Sequence, residues 1–540
     1  MKKTISKKIA LLLFFVPIVI HLIVLNNFSI NFPFEDQHRV FMDFTYNFLK
    51  ANTLSDKFHM ILTPDNESRP FLIRFSLLTQ MGIFGELNFK TMLWFANLYT
   101  VLLIYVFYRK YKFSPLFLSI ISLTVLNLCN WEVYFRNDVV TYQLASIALS
   151  AYLFYFVTTD YKQHSLFSKI AFYIFLFIVP FGSAIGFIAI FFILIYSFLR
   201  KTNPHWLIIL ILLGFQLFIY QSHASNDDPS NSLFENIFKY KFEIVWAYFV
   251  SLGGMFQFFS NSIGYALAGM TGLLIFLSTS YFILRNWQSK TYDFEKLLFL
   301  FSAASLAVIV LNRYNYWFVG IESVLVSRYK IYGILILIAG LSFLVKYKSS
   351  NLFKYTLVSF FIAVYTIWLF KSLFSLNQKK ETKMMDAYNL EQKMVNNDKA
   401  NNTFEAGFKY EYLKEKKVFN SGDVYNMVTK MLNNGVVVYP DSAQLKTVDF
   451  DPSFESDWGK KNTKLSRIEV MGKFPASNRY FIKIIDKNKH SIILNALGRP
   501  LSVAKRIFQT KDDIDFLYRE FEMSYYKLEM PLMYEVICIQ

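Results

Sequence analysis

"KKTISKKIALLLFFVPIVIHLIVLNNF", residues 2–28, decides the fold class. Lys2, Lys3, Lys7 and Lys8 precede an apolar run from Ile9 to about Phe28. A secretory signal has a shorter apolar region and a small-residue cleavage site. This run has neither, so it reads as an uncleaved first membrane span with its N-terminus in the cytoplasm. The remaining chain repeats the pattern. Of its 540 residues, 54% are hydrophobic and 19% aromatic, with a mean hydropathy of +0.32, more apolar side chains than one soluble core can bury. Long apolar runs recur to about Phe374, broken by short segments rich in Lys, Arg, Pro or Asn. That is the pattern of an α-helical polytopic membrane protein.

Spans are expected near 9–29, 91–108, 113–130, 139–158, 166–180, 183–199, 206–221, 262–284, 295–312, 329–346 and 352–374, eleven in all. The run "EIVWAYFVSLGGMFQFF" at 243–259 is read as an interfacial or re-entrant helix broken at Gly253 and Gly254. With that count the basic joints at Arg109/Lys110/Lys112, Lys162/Lys169, Arg200/Lys201, Arg285/Lys290/Lys296 and Lys346/Lys348/Lys354 all face the cytoplasm. It also places the C-terminal segment outside, on the same side as a long first loop, residues 30–90.

The composition changes after Lys371. Residues 376–540 carry 26 Lys+Arg and 22 Asp+Glu and no membrane-length apolar run, so a multi-spanning domain (1–375) precedes an external soluble domain (376–540). The latter reads as mixed α/β. Helices are expected at 377–395 and 422–433, and strands at "GVVVYP", "RIEVMG", "YFIKII", "SIILNAL" and "YEVICI", with "DKNK" as a hairpin turn.

Most of the net charge of +17 belongs to the first 375 residues, which hold 30 basic and 17 acidic side chains. It is a topology signal, and nucleic acid is not an expected partner. Cys129 and Cys538 are the only cysteines, which excludes a disulfide framework and a cysteine-based zinc site. The chain has no glycine-rich phosphate loop, no H-E-x-x-H helix and no Cys/His cluster, and "GSAIG" at 182–186 reads as a tight turn. No cofactor or metal ligand set is assigned, although the acidic residues could take a divalent metal cation through oxygen ligands. The sequons at Asn66 and Asn401 would be external.

The stretch "NFPFEDQHRVFMDF", residues 31–44, follows the first span. Val40, Phe41, Phe44 and Phe48 recur at helical spacing, giving an amphipathic helix for the membrane surface. A second starts at Pro70 with a stripe of Phe71, Phe75 and Leu78. Glu35 and Asp36 precede the first helix, whose N-terminal dipole favours their ionised form, so either could serve as a general base. Arg39 lies at pairing distance along the helix from both, and the group also reads as a cap with a local ion pair. His38 reads as an exposed loop histidine. Glu67 and Arg69 stand before the second helix, Arg136 and Asp138 occupy the next external turn, and Arg313, Glu322 and Arg328 lie in a later one. All return to one leaflet, giving a concave external site of carboxylates and arginines.

A first inside-to-outside span, a long loop opening on the acidic pair of "FEDQ", two surface helices, many further spans and an external C-terminal domain resemble the GT-C superfamily of membrane glycosyltransferases. That superfamily includes protein mannosyltransferases and the bacterial lipid A aminoarabinose transferase. The resemblance covers about the first 375 residues and departs from an Asp-Asp pair in having Glu35 first. It implies a cytoplasmic-membrane enzyme of cell-envelope polysaccharide or glycolipid biosynthesis. Such an enzyme moves a sugar from a polyprenyl phosphate carrier to an extracytoplasmic glycan, lipid or protein acceptor. Asp36, or else Glu35, would be the catalytic base. Arg328 would be the first contact of the lipid phosphate, and Arg39, Glu67, Arg69, Arg136 and Asp138 would be further substrate-binding residues. The alternatives are a polysaccharide polymerase or ligase, a transporter or flippase, and a non-catalytic assembly or sensor protein.

Overall fold

The structure is a computed structural model. It describes residues 2–33, 37–63, 70–200, 206–221, 237–259, 261–316, 321–347, 350–394, 406–449, 464–475, 479–498, 513–521 and 528–539. These fold as two compact units. The first comprises residues 1–27, 58–76 and 93–372; the second comprises 28–57, 77–92 and 373–540.

Among the described residues, 8 helices are long and apolar enough to cross a membrane. They are Lys8–Phe28, Phe89–Tyr111, Pro115–Phe135, Asn137–Thr158, Ser262–Arg285, Lys290–Arg313, Ser327–Lys346 and Leu352–Glu391. Each matches an expected span. The other three expected spans correspond to the shorter apolar helices Leu166–Gly182, Ile185–Arg200 and Trp206–Gln221. At about 1.5 Å per residue these reach about 24–26 Å, short of a hydrocarbon core of about 30 Å.

The first unit is helix packed on helix. Pro180 lies inside the Leu166–Gly182 helix and brings no N–H to the carbonyl four residues back. The buried Gln216 side chain replaces it, its Nε2 donating to the Leu176 and Phe177 carbonyls at 2.9 Å each. "GSAIG" is a tight turn, with Ser183 and Ala184 alone between two helices and the Gly186 amide donating to the Ser183 carbonyl at 2.8 Å.

The segment at 243–259 is broken where the two glycines fall. A helix over Lys241–Leu252 (12 residues) ends at Gly253, and a 3-10 turn, Gly254–Phe256, follows. A Cβ on Gly253 would stand 1.9 Å from the Ala268 carbonyl oxygen, and one on Gly272 would stand 2.0 Å from that of Phe249. Backbone therefore packs on backbone. This short helix also packs against the helices that carry the candidate spans at 262–285, 290–313 and 327–346.

The second unit combines parts of the first loop with the C-terminal residues. After the helix Gly422–Asn433, the described residues form eight strands: β1 (Val436–Val438), β2 (Ser442–Asp449), β3 (Lys464–Pro475), β4 (Arg479–Ile485), β5 (Ser491–Asn495), β6 (Leu497–Gly498), β7 (Asp513–Phe521) and β8 (Met533–Ile539). They form two antiparallel sheets of four, ordered β1-β8-β4-β5 and β2-β3-β7-β6. Ile468, Val470 and Leu517 from one sheet share a core with Ile482, Ile492 and Val536 from the other. The result is an α+β sandwich and not an alternation of helices and strands. All five expected strands and the "DKNK" hairpin are present; β2 and β7 were not expected. Asn389, near the end of the helix Asn351–Glu391, pairs through its side-chain amide with both the N–H and the C=O of Ile493, at 2.9 Å each. A side chain thus closes the open edge of β5.

The first loop segment differs from expectation. Residues 38–50 form a π-helical turn, His38–Asp43, running into an α-helix, Phe44–Lys50. Phe41 and Phe44 are buried against protein, not laid out for lipid. The covering element is the helix Ala406–Glu415: Lys409 pairs with Asp43 at 2.9 Å, and Tyr46 meets Tyr412 edge to face. The helix after Pro70, Phe71–Phe84, is present. Its Leu72, Ile73 and Leu77 are buried while Phe75 is 55% exposed, so the expected stripe carries the outward apolar face.

Candidate anion and polar-group site

The strongest concentration of buried polar chemistry in the first unit begins where the Pro115–Val125 helix ends. The Asn127 side chain accepts from the Cys129 amide at 2.9 Å, turning the chain into a 3-10 turn at Leu128–Asn130. A short helix, Trp131–Phe135, follows, and Arg136 breaks it with extended backbone angles. The helix that restarts at Asn137 passes through a π-helical turn, Val140–Leu144. Such insertions re-aim side chains and recur at functional sites.

A second polar turn, Ser327–Tyr329, packs against these segments. Ser327 Oγ accepts from the Glu132 amide at 3.3 Å, and Gln143 Nε2 donates to the Arg328 carbonyl at 2.7 Å. Arg136 pairs with Asp138 at 2.8 Å, and Arg328 faces Glu132 at 3.9 Å. Arg313, at the end of its helix, donates through Nε to the Tyr329 hydroxyl at 3.0 Å. The Tyr329 ring is flanked by both guanidiniums, with Arg313 Cζ at 5.4 Å and Arg328 Cζ at 5.3 Å from its centroid. Lys330, next to that turn, and Lys371, on a later helix, hold their ammonium groups 4.5 and 4.8 Å from the Trp368 ring. Among the described side chains three arginines stand with two carboxylates, and an anion placed there would meet guanidinium forks.

The sequence-predicted residues divide into three groups. Arg136, Asp138 and Arg328 come together here, joined by Arg313. Arg39 lies in the π-helical turn His38–Asp43 of the second unit, and its side chain is outside the described residues. Glu35, Asp36, Glu67 and Arg69 lie outside the described residues altogether. Among the described residues no group of three or more His, Cys, Asp or Glu could hold a metal ion.

Sequence reasoning missed Glu132, Asn130, Gln143, Tyr329 and Tyr332. Glu132 offered a signal, because a carboxylate within the last turn of an apolar span, here Pro115–Phe135, demands a partner. His38 corrects an expectation, since it is buried instead of exposed. Burial first, and then the nearby Lys383 charge, push its imidazole down to about 3, so it is neutral at physiological pH.

A contrasting cluster lies about 20 residues earlier along the helix Asp293–Tyr316 that ends near Arg313. The buried Asp293 takes Lys296 at 2.8 Å, Arg200 at 3.3 Å and the Tyr196 hydroxyl at 3.0 Å. Glu295 accepts the Tyr111 hydroxyl at 2.8 Å and faces Lys110 at 3.6 Å.

Comparison of the chain with protein-family models, curated proteins and solved structures finds no match.

Proposed function

We propose that the protein is a membrane glycosyltransferase that takes a sugar from a polyprenyl phosphate carrier and passes it to an acceptor outside the cytoplasmic membrane. The observation that carries this reading is the gathering of Arg136, Arg313 and Arg328 with Glu132 and Asp138 at one end of the candidate spans. A lipid phosphate needs guanidinium donors at the depth where its headgroup lies, with apolar helix for its tail.

In the reaction, the acceptor hydroxyl attacks the anomeric carbon while the bond from that carbon to the phosphate oxygen breaks. The leaving lipid phosphate keeps the electron pair, and arginine stabilises the charge that builds on it. The acceptor proton goes to Asp36 or Glu35. The transporter reading calls for ionisable side chains deep within several spans. Among the described residues, the charged side chains of seven of the eight candidate spans lie toward the ends, and those of Leu352–Glu391 are Lys354 near its start and a series that begins at Lys371, where its apolar part closes.

The test is glycan transfer by membranes carrying Asp36→Asn or Glu35→Gln. A loss of about 100-fold or more in one of them supports the base assignment. Wild-type transfer in both sinks it.

A further inference from the structure

Several buried polar side chains around the Glu132–Arg328 pair have atoms that, among the described residues, make no hydrogen bond. They are both amide atoms of Asn130, Oε1 of Gln143 and Nδ2 of Asn127, together with Oε2 of Glu132, which only Arg328 Nε faces at 3.9 Å, and the Tyr332 hydroxyl, whose neighbour is the Gln143 amide. Asn127, Asn130 and Tyr332 are 0% exposed. These residues share one place in the fold. The Leu128–Asn130 turn packs on the Ser327–Tyr329 turn, Glu132 reaches Ser327 through its amide, Gln143 reaches the Arg328 carbonyl, and Tyr332 follows one turn later beside Gln143.

Leaving a buried polar group unbonded costs about 1–3 kcal/mol, so several such groups in one place indicate that something else completes their bonds. The set itself describes the missing group. Amide N–H and tyrosine O–H donate, whereas the carboxylate and amide oxygens accept. A phosphate offers only acceptors and a metal ion wants only acceptors, so neither satisfies a mixed set. A hydroxyl both donates and accepts, and a sugar ring carries several.

We infer that Asn130, Glu132, Gln143 and Tyr332 form a subsite for a neutral polyhydroxylated ring, the sugar headgroup of the carrier, next to the guanidiniums that take its phosphate. This rests on the proposed function and deepens it by placing the sugar on residues 127–143 and 327–332. Glu132 then has two roles at one atom: its Oε2 faces Arg328 Nε at 3.9 Å, beyond hydrogen-bond distance, and is left to accept from a hydroxyl.

The test uses the full-length protein in nanodiscs and carriers of equal charge. Polyprenyl phosphates esterified with glucose, mannose or N-acetylglucosamine are compared with the cyclohexyl ester, which has a ring of similar size without hydroxyls. At least one sugar ester should bind about 10-fold or more tightly than the cyclohexyl ester, the equivalent of one or two neutral hydrogen bonds. Asn130→Leu and Tyr332→Phe, which remove no hydrogen bond to Arg328, should each lower that preference while binding the cyclohexyl ester as the wild type does, which also shows that they fold. Equal binding of all four esters by the wild type overturns the subsite, as does an undiminished preference in both variants. Failure to bind any ester overturns the proposed function itself, so the two failures are distinct.

Discussion

The helix Asp293–Tyr316 carries two ionic clusters, one at each end, and they are built differently. At the Asp293 end one carboxylate takes three donors, and Glu295 takes a tyrosine hydroxyl and a lysine. Glu295 Oε2 is the one side-chain atom of those two carboxylates without a hydrogen bond, and Lys110 faces it. At the Arg313 end an arginine and a glutamate stand 3.9 Å apart, and among the described residues a complete amide, Asn130, is buried with nothing to bond. Pairing of the first kind locks helices together. A shortfall of the second kind is what a binding site looks like before its ligand arrives.

Substitutions should separate the two ends. Asp293→Ala strands Arg200 and Lys296 without their shared carboxylate, and the expected cost is about 3–5 kcal/mol, read as a lowered unfolding midpoint in detergent. Carrier binding by the protein that remains folded should be unchanged. If Asp293→Ala loses carrier binding but keeps its unfolding midpoint, the lock is the site and the comparison is reversed.

Arg328→Ala should destabilise by a comparable amount, because Glu132 is left buried and charged. Adding Glu132→Gln should restore much of the stability, since the neutral amide needs no counter-charge, and should leave transfer absent. Recovery of transfer in the double variant would show that the pair is only structural.

The smallest effect at neutral pH lies in the second unit. His38 has a folded-state value of about 3 against an ordinary value near 6.5. Between those values the unfolded chain binds the proton and the folded chain does not. The contribution of neutral His38 is therefore complete above about pH 6.5 and is lost as pH falls toward 3. Hydrogen exchange over residues 38–50 and 406–415 should accelerate in that window, and His38→Gln should flatten the response. An identical acid response in the variant would contradict the assignment.

Much of the helical architecture was legible because apolar runs bounded by lysine and arginine have little alternative to becoming spans. The five expected strands were legible for a similar reason, being β-branched runs between turn residues. β2, "SAQLKTVD", was missed although Ala443 and Leu445 alternate toward the core, because its polar half resembles a loop. Arg136, Asp138 and Arg328 were found from their position at span ends. Glu132 was not, since what makes it notable is Ser327 and Arg328, some 195 residues away. His38 was misjudged because its burial, with Phe32 edge-on to the imidazole and Lys383 nearby, is a tertiary event that local polarity does not announce.

The most direct test is binding of a long-chain polyprenyl phosphate to the purified protein, measured by native mass spectrometry. Two charge-balanced pairs of substitutions are compared: Arg328→Gln with Glu132→Gln, and Lys296→Gln with Asp293→Asn. The account predicts at least about a 10-fold loss of affinity in the first pair, the worth of a charge-assisted hydrogen bond, and wild-type affinity in the second. Wild-type binding in the first pair, or an equal loss in both, would contradict it.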